Sequence, residues 1–372
     1  MNLHLISCFL YCEPMAHAQP EPIDGSFLHL QDNHISDQVW EGQERMIHSK
    51  CNSVWIFTHL DVIDNRVFWS CYNCRQIDIN YHLVSVLAEY WRPKTHISFS
   101  TWEETITLQD VALQLGLKIG RLPITGAITG DVRVACQALL GDTSPDKYIK
   151  GKMIYLTWLR QNFQQLPIDV DDVVIAQHAK AHIMMLIGEC LMLDTLGARV
   201  HFMYLLLLSN LIEATHYSWG ATVLASLFRA LDWVVKPLQI EISGWRPVEV
   251  TLFYENAPTM WDRHRLKRAL KPGSWAWDRI KCIAPQIHDL SDKEVQEGLG
   301  FPLARMWSQP MTQTNVPTNS IRLIRVIFDR LYMNEFLWTS YETPQIRSLI
   351  NNVEVSMIFR AKVPLLCFVI ME

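Results

Sequence analysis

Apolar residues recur at helical spacing along most of this chain. In seven stretches they lie three or four positions apart, which places them on one face of an α-helix. The predicted helices cover residues 77–90, 108–115, 131–140, 152–165, 171–193, 217–235 and 319–337. Trp91-Arg92-Pro93 ends the first helix, because a residue that precedes proline avoids the helical region.

Alternating apolar residues predict a few short strands between these helices. The run HISFS places Ile97 and Phe99 on one side, TWEE is predicted to form the turn, and TIT is predicted to return as the partner strand. Thr107 is then a good helix N-cap with Asp110 three residues later, and Gly116 is placed to end that helix. The C-terminal run VEVSMIFRAKVPLLCFVIME is rich in β-branched and aromatic residues and predicts strand.

The pattern predicts a mainly α protein: one large helical domain with a few short β-strands or hairpins. A chain of 372 residues is long enough for an ample core, and its 14 tryptophans are expected to pin helices together. Glycine is scarce, at 15 residues, which argues against an α/β enzyme built on glycine-rich turns. We assign residues 1–20 to an N-terminal arm and residues 21–372 to the domain.

The sequence predicts neither secretion nor membrane insertion. The N-terminal apolar stretch from Leu3 to Cys12 has the length of a signal-peptide core, but no basic residue precedes it. The longest apolar region, residues 181–211, is interrupted by charged residues and predicts buried helices. Nine scattered cysteines are typical of free thiols in a reducing compartment.

One dense basic run is a candidate nucleic-acid-binding site. The formal net charge is −5, so no overall basic field favours nucleic acid. The run RHRLKRALK at 263–271 nevertheless places Arg263, Arg265, Lys267 and Arg268 close enough together to contact phosphates. The alternative interpretation is a solvated basic loop.

Two groups of residues have the spacing of metal ligands. Cys71 and Cys74 form a single C-x-x-C pair, which Cys51, His59 and His82 could complete as a zinc site. The alternative is a pair of ordinary thiols, because no second C-x-x-C follows.

His178 and His182 lie four residues apart on one predicted helix, but the motif lacks the glutamate of H-E-x-x-H. A buried or interfacial histidine pair is the favoured interpretation, and no metal is assigned. Arg92 and His96 suggest an anion site, although a local pairing of Arg92 is favoured.

Motifs for common cofactors and nucleophiles are missing from the sequence. It has no G-x-G-x-x-G, no G-x-x-x-x-G-K-[ST] and no G-x-S-x-G. We therefore assign no catalytic residue and no cofactor.

Several segments, taken in order, resemble one known family. They are PIDGSFLHLQDNHISDQVWEGQER, LAEYWRPKTHISFS, ITLQDVALQLGLKIGRLPITG, GKMIYLTWLRQNF, AQHAKAHIMMLIGECLMLD, RVHFMYLLLL, YSWGATVLASLFRAL, WAWDRIKCIAPQ and VEVSMIFRAKVPLLCFVIME. Together they resemble the plant mobile domain family, also labelled aminotransferase-like. The resemblance implies a nuclear plant protein linked to meristem maintenance and transposon silencing.

The resemblance implies no catalytic residue. An aminotransferase needs a Schiff-base lysine and a phosphate cup, and the helix predicted at 171–193 offers only Lys180. The chain departs from the family pattern at 51–76 and 233–273, and relatives continue beyond its C-terminus. We expect a non-enzymatic nuclear module that acts in protein interaction or in association with chromatin, with protein partners, no membrane contact and no cofactor. The alternative is a transposon-derived protein that binds nucleic acid through the run at 263–271.

Overall fold

The computed structural model describes most of the chain between residues 81 and 342. The gaps in this region are residues 93–95, 100–101, 120–121, 126–129, 165, 168–169, 193–198, 235–271, 286–302 and 309–320. Beyond residue 342 the described residues are 346, 366–367 and 370–371. The predicted arm at 1–20, all of 51–76 and nearly all of 233–273 lie outside the described residues, so the domain boundaries remain a prediction.

Helices dominate the described residues, which confirms the mainly α prediction. The α-helices are α1 Tyr81–Tyr90, α2 Leu108–Leu115, α3 Val132–Leu140, α4 Leu156–Phe163, α5 Asp172–Leu186, α6 Met203–Leu207, α7 Leu211–Ala214, α8 Trp219–Val234, α9 Pro272–Arg279 and α10 Ile321–Asp329. Short 3₁₀ turns occupy Asp146–Tyr148 and Leu303–Ser308.

The described strands are all short and antiparallel. They are β1 Trp91–Arg92, β2 His96–Ser98, β3 Glu103–Glu104, β4 Ile149–Lys150, β5 Met153–Tyr155, β6 Arg199–His201, β7 Leu366–Cys367 and β8 Ile370–Met371. β1-β2-β3 and β4-β5-β6 form two small sheets, and β7 pairs with β8. The β7–β8 hairpin places strand in the C-terminal run where the sequence predicted it.

The first sheet shows that the predicted return strand was wrong. Ile97 pairs with Trp91 on one side and with Glu104 on the other. The Phe99 amide donates to the Trp102 carbonyl at 2.8 Å, which closes the turn early. The return strand therefore falls on residues 103–104, in the predicted turn, and not on the TIT run at 105–107.

The cap of helix α2 confirms the predicted N-terminus. The Thr107 hydroxyl accepts a hydrogen bond from the Asp110 amide at 3.2 Å, and the Asp110 carboxylate accepts one from the Thr107 amide at 2.7 Å. This reciprocal arrangement satisfies two amides that the first helical turn leaves unpaired. Gly116 ends the helix with a φ of 69°, a conformation that glycine adopts without steric cost.

Three predicted helices are shorter than expected. The helix predicted at 152–165 begins only at Leu156, because residues 153–155 form the central strand of the second sheet. Helix α5 changes to a π-helical turn over Ile187–Leu191. The helix predicted at 319–337 covers only Ile321–Asp329, and the residues after it form turns.

One continuous apolar core joins the described helices. Its largest fully buried side chains include five tryptophans: Trp91, Trp158, Trp219, Trp275 and Trp277. This placement agrees with the expectation that indole rings pin the helices together. None of the described helices is both long enough and apolar enough to span a bilayer.

Candidate functional site: an ionic clamp beside an exposed apolar surface

Two aromatic residues on the first hairpin support an exposed segment of the chain. Phe99 and Trp102 stack with their ring centroids 4.0 Å apart. Trp102 also meets Phe336 at 4.5 Å and Trp338 at 5.0 Å. The turns that follow helix α10 are therefore anchored on the β2–β3 hairpin by ring contacts.

Four large apolar side chains of this segment are open to solvent, although exposed polar residues such as Asn334 and Glu335 lie between them. Tyr332, Met333, Leu337 and Trp338 are 65%, 54%, 41% and 43% exposed, and we call these four residues the apolar surface. The Trp338 indole donates to the Met333 carbonyl at 2.9 Å, which holds two of its members together. Clustered exposed apolar side chains are typical of protein-binding sites.

A buried ionic pair lies on the inner side of the same segment. The Arg279 guanidinium contacts Asp110 Oδ1 at 2.8 Å, and the two side chains are only 7% and 0% exposed. The Tyr341 hydroxyl donates to the same Asp110 oxygen at 2.6 Å. The other carboxylate oxygen of Asp110 accepts from Thr107, so the helix cap and the ion pair share one carboxylate.

Gln114 and Asp278 complete this network, which we call the clamp: Asp110, Gln114, Asp278, Arg279 and Tyr341. The Gln114 amide donates to Asp278 and, at 3.4 Å, to the Tyr341 hydroxyl. The clamp connects helix α2 to helix α9 and to the turns that carry the apolar surface.

The backbone and one neighbouring side chain reinforce this connection. The Leu337 amide donates to the Arg279 carbonyl at 2.9 Å, and Arg279 Nη1 lies 3.1 Å from the Ser340 hydroxyl. The Arg279 guanidinium also lies over the rings of Trp275 and Tyr341, at 5.3 and 5.1 Å from their centroids. Arg279 therefore contacts the exposed segment in three ways. Its carbonyl accepts from the Leu337 amide, and its guanidinium contacts the Ser340 hydroxyl and lies over the Tyr341 ring.

The electrostatics of the clamp favour an ionised Arg279 and a neutral Tyr341. Burial alone would lower the pKa of Arg279, but Asp110, Tyr341 and Glu104 together raise it. Burial, with Asp110 next in importance, raises the pKa of Tyr341 well above its ordinary value. Burial also raises the pKa of Asp278, to about 6. Burial therefore favours the neutral form of the Asp278 carboxyl group, while Lys281, Gln114 and Arg279 favour its ionised form.

A second ionic connection holds helix α1 against helix α10. Arg325 forms two parallel hydrogen bonds with the Glu89 carboxylate, each 2.7 Å long. Beside it, the Tyr90 hydroxyl donates to the Asp329 carboxylate. Paired Arg–carboxylate bonds fix orientation as well as distance, so the start of the exposed segment is also held in place.

The structure gives the two candidate histidines of helix α5 backbone partners. His178 Nδ1 lies 3.0 Å from the Val174 carbonyl, and His182 Nε2 lies 2.6 Å from the Phe163 carbonyl. His182 is buried and connects α5 to the end of α4. Within the described part of the chain, no group of three or more His, Cys, Asp or Glu residues has the arrangement of a metal site.

Arg92 and His96 are cross-strand neighbours in the first sheet. His96 contacts the Glu103 carboxylate at 3.1 Å, and burial lowers its pKa more than Glu103 raises it. The histidine therefore pairs locally in the sheet. On helix α5, burial lowers the pKa of Lys180.

The remaining candidates are divided between described and undescribed residues. His82 lies on helix α1 and is half-buried. Cys51, His59, Cys71 and Cys74 of the zinc hypothesis lie outside the described residues, as do the basic candidates Arg263, Arg265, Lys267 and Arg268. Cys136 and Cys282 are free thiols, and burial raises the pKa of Cys136 to about 12.

Sequence reasoning missed both the clamp and the apolar surface. Asp110 was recognised only as a capping residue, and Arg279 only as part of a family-like segment. The signal that could have found the pair is an arginine that follows two tryptophans in WAWDRI, since a charge in so apolar a stretch needs a partner.

Comparison with known families identifies the domain. The family model for the plant mobile domain matches residues 68–372, which is most of the chain. This chain belongs to the plant mobile domain family. The match includes the helices that form the clamp and the segment that carries the apolar surface.

Named relatives all come from Arabidopsis thaliana. Protein MAIN-LIKE 1 is 30% identical over 93% of this chain and 64% of its own length. Protein MAINTENANCE OF MERISTEMS is 29% identical over 58% of this chain and 47% of its own length. A serine/threonine-protein phosphatase 7 long form homolog is 29% identical over 95% of this chain.

The chain spans only part of these relatives, and just 26% of the phosphatase homolog. The name of that relative therefore assigns no activity to the region that the two chains share. No solved structure matches this protein.

Proposed function

We propose that this plant mobile domain protein is a non-enzymatic nuclear module that binds other proteins through its apolar surface. The observation that carries the proposal is the exposure of Tyr332, Met333, Leu337 and Trp338 on a segment fixed from its inner side. A rigid apolar surface loses little conformational freedom on binding, which favours affinity.

The chemistry of the clamp supports a structural role for the clustered ionisable residues. Asp110 accepts hydrogen bonds from Thr107, Arg279 and Tyr341, so its lone pairs are engaged inside the protein. Arg279 is nearly inaccessible to solvent. Groups committed to each other in this way position chain segments and are poorly placed to act on a substrate.

The proposed biological setting is supported by a relative's name. One relative bears the name Protein MAINTENANCE OF MERISTEMS, and this chain aligns with 47% of it. That name supports a role in meristem maintenance, and we further propose that the partners are nuclear and act in transposon silencing. A fluorescent fusion imaged in root meristems is expected to be concentrated in nuclei, and a fusion excluded from nuclei would contradict this part.

Affinity purification tests the binding surface. The tagged full chain is compared with a Tyr332→Ala/Trp338→Ala variant and with Ile212→Ala, in which an exposed apolar side chain is removed elsewhere (Ile212 is 75% exposed). We expect the same nuclear proteins with the wild type and Ile212→Ala, and their loss with the double variant. Equal recovery by all three, or recovery of chaperones alone, would contradict the proposal.

A second candidate is nucleic-acid binding through the run at 263–271. The observation in its favour is the density of charge: four cations within six residues, at Arg263, Arg265, Lys267 and Arg268. Gel shifts over a salt series should show binding that weakens steeply with salt and is lost when all four become Ala. Removal of Lys147 and Lys150, two exposed cations elsewhere, is the control for a general loss of charge.

A further inference from the structure

A carboxylate lies among the side chains of the apolar surface. Glu335 is exposed and stands between Met333 and Leu337 in the chain. Its Oε2 accepts a hydrogen bond from the Tyr332 amide at 3.0 Å, and its own amide donates to the Tyr332 carbonyl at 2.9 Å. These two bonds close one turn, so the Glu335 carboxylate is held at the backbone of an exposed aromatic residue.

The second aromatic residue of the surface is also held in place. The Trp338 indole donates to the Met333 carbonyl at 2.9 Å, and its ring lies against Trp102 and Phe336, with centroids 5.0 and 4.9 Å apart. Trp338 nevertheless remains 43% exposed. A fixed indole that is partly open to solvent is a favourable contact for a cation, because aromatic rings attract positive charge.

The exposed segment carries negative charge only. Residues 331–342 contain two carboxylates, Glu335 and Glu342, and no Lys, Arg or His. Both carboxylates are exposed. A partner that covered them with apolar groups alone would remove their hydration without replacing it, which is costly. Charge complementarity therefore favours a partner that is positively charged as well as apolar.

Two cations near this segment already have carboxylates of their own. Arg330, which directly precedes the segment, favours the ionised form of Asp329. Lys281, beyond the end of helix α9, favours the ionised form of Asp278. Each of these cations is thus balanced by a carboxylate outside residues 331–342.

We propose that the apolar surface binds a cationic amphipathic segment of another protein. The Lys or Arg side chains of that segment contact Glu335 and the exposed aromatic rings, and its apolar side chains cover Met333 and Leu337. This inference rests on the proposed function, because it names the chemistry of the partner that the surface binds.

The chemistry of the surface ranks the possible partners. Arginine fits it better than lysine, because a guanidinium can form two parallel bonds with a carboxylate and can also stack on an aromatic ring. A nucleic acid fits less well, because its phosphates would be repelled by Glu335 and Glu342. An arginine-bearing protein segment is therefore the occupant that we expect.

Fluorescence anisotropy with the full chain tests this inference. The probes are three labelled amphipathic peptides of equal length, which share the same leucines and carry Arg, Gln or Glu at their polar positions. The Arg peptide should bind most tightly and the Glu peptide least, and added salt should reduce the difference. Tyr332→Ala/Trp338→Ala should weaken binding of the Arg peptide at least about tenfold. Equal affinity for the Arg and Gln peptides, or no binding of any peptide, would overturn the inference.

Two matched variants show whether the peptide's cations lie at Glu335. Glu335→Gln removes the charge but keeps an oxygen that can accept from the Tyr332 amide. It should weaken the Arg peptide about two- to fivefold and leave the Gln peptide unchanged. Glu213→Gln removes an exposed charge on helix α7 and should change neither affinity. Equal losses in the two variants would indicate a general attraction to an acidic protein and would contradict the inference.

A labelled single-stranded oligonucleotide tests the other class of partner. If it binds, and if Tyr332→Ala/Trp338→Ala abolishes that binding, the surface is a nucleic-acid site and the inference is wrong. The inference and the proposed function can fail separately. Nuclear proteins that require Tyr332 and Trp338, together with no preference for the Arg peptide, would refute the inference alone. Nuclear proteins recovered equally by the double variant would refute the proposed function, even if the Arg peptide bound at this surface.

Discussion

Two regions of this protein are held together by different forces. Helices α4 and α5 pack through buried apolar side chains such as Trp158 and Met184, and a histidine on α5 is also hydrogen-bonded to a carbonyl at the end of α4. Helices α1, α2, α9 and α10 meet partly through buried charged pairs, Asp110–Arg279 and Glu89–Arg325. The first region tolerates small shifts of packing, whereas the second needs each partner in place.

The comparison shows why the charged pairs matter for the exposed segment. Turns without a regular backbone ladder have few hydrogen bonds of their own. In this protein Arg279 supplies them to residues 337–341, and the aromatic rings of Phe336 and Trp338 supply the packing. Apolar burial alone would leave the conformation of residues 337–341 loosely specified, and the directional contacts with Arg279 fix it.

The largest effect is expected from breaking the clamp. Arg279→Ala leaves the fully buried Asp110 without its cation, which typically costs about 3–5 kcal/mol of unfolding free energy. Urea denaturation measures the loss. The control is Arg133→Ala, because the Arg133–Asp146 pair has side chains 55% and 80% exposed and should contribute less than about 1 kcal/mol. Similar losses in both variants would remove the distinction between the clamp and an ordinary surface pair.

A slightly smaller effect is expected in the apolar region. Leu159 on helix α4 is fully buried, and Leu159→Ala should cost about 3 kcal/mol through lost burial and the cavity it leaves. Leu159→Met, which conserves volume, should cost less than about 1.5 kcal/mol. Thermal unfolding measures both losses. Equal losses in the two variants would show that the cavity does not account for the cost.

The Glu89–Arg325 pair should contribute less than the clamp. Arg325 is 17% exposed, so water relieves part of the charge when its partner is removed. Glu89→Gln keeps the shape and is expected to cost about 1.5 kcal/mol in chemical denaturation. If Glu89→Gln lowered the unfolding free energy as much as Arg279→Ala, side-chain exposure would not predict which ion pair contributes more to stability.

The smallest effect is expected at the cap of helix α2. Thr107→Ala removes a hydroxyl that accepts from the Asp110 amide and should cost about 1 kcal/mol. Thr107→Ser keeps the hydroxyl and should be nearly neutral in the same unfolding assay. Equal losses in the two variants would mean that the methyl group of Thr107, and not its cap, stabilises the helix.

Local signals were enough to predict much of the fold. The Thr107 cap, Gly116 at the end of α2 and Asp131 at the start of α3 lie where the sequence placed helix ends. The β5 strand was missed, because residues 153–155 continue an apolar pattern that fits a helix equally well. Its strand partner Arg199–His201 is too distant in sequence for periodicity to show.

The candidate site could not be predicted from the sequence for the same reason. Asp110 and Tyr341 are 231 residues apart, and Glu89 and Arg325 are 236 apart. No spacing rule relates such residues, since only the folded chain brings them together. The exposed apolar surface was hidden as well, because Tyr332, Met333 and Leu337 were assigned to the helix predicted at 319–337, which ends just before Trp338.

A double-mutant cycle on Asp110 and Arg279 tests the central claim most directly. The claim is that these two residues, buried against each other, hold the exposed segment to the helical core. Unfolding free energies of Asp110→Ala, Arg279→Ala and the double variant should give a coupling of about 2 kcal/mol, because the double variant leaves neither charge buried alone. Losses that add to within about 0.5 kcal/mol would contradict the account.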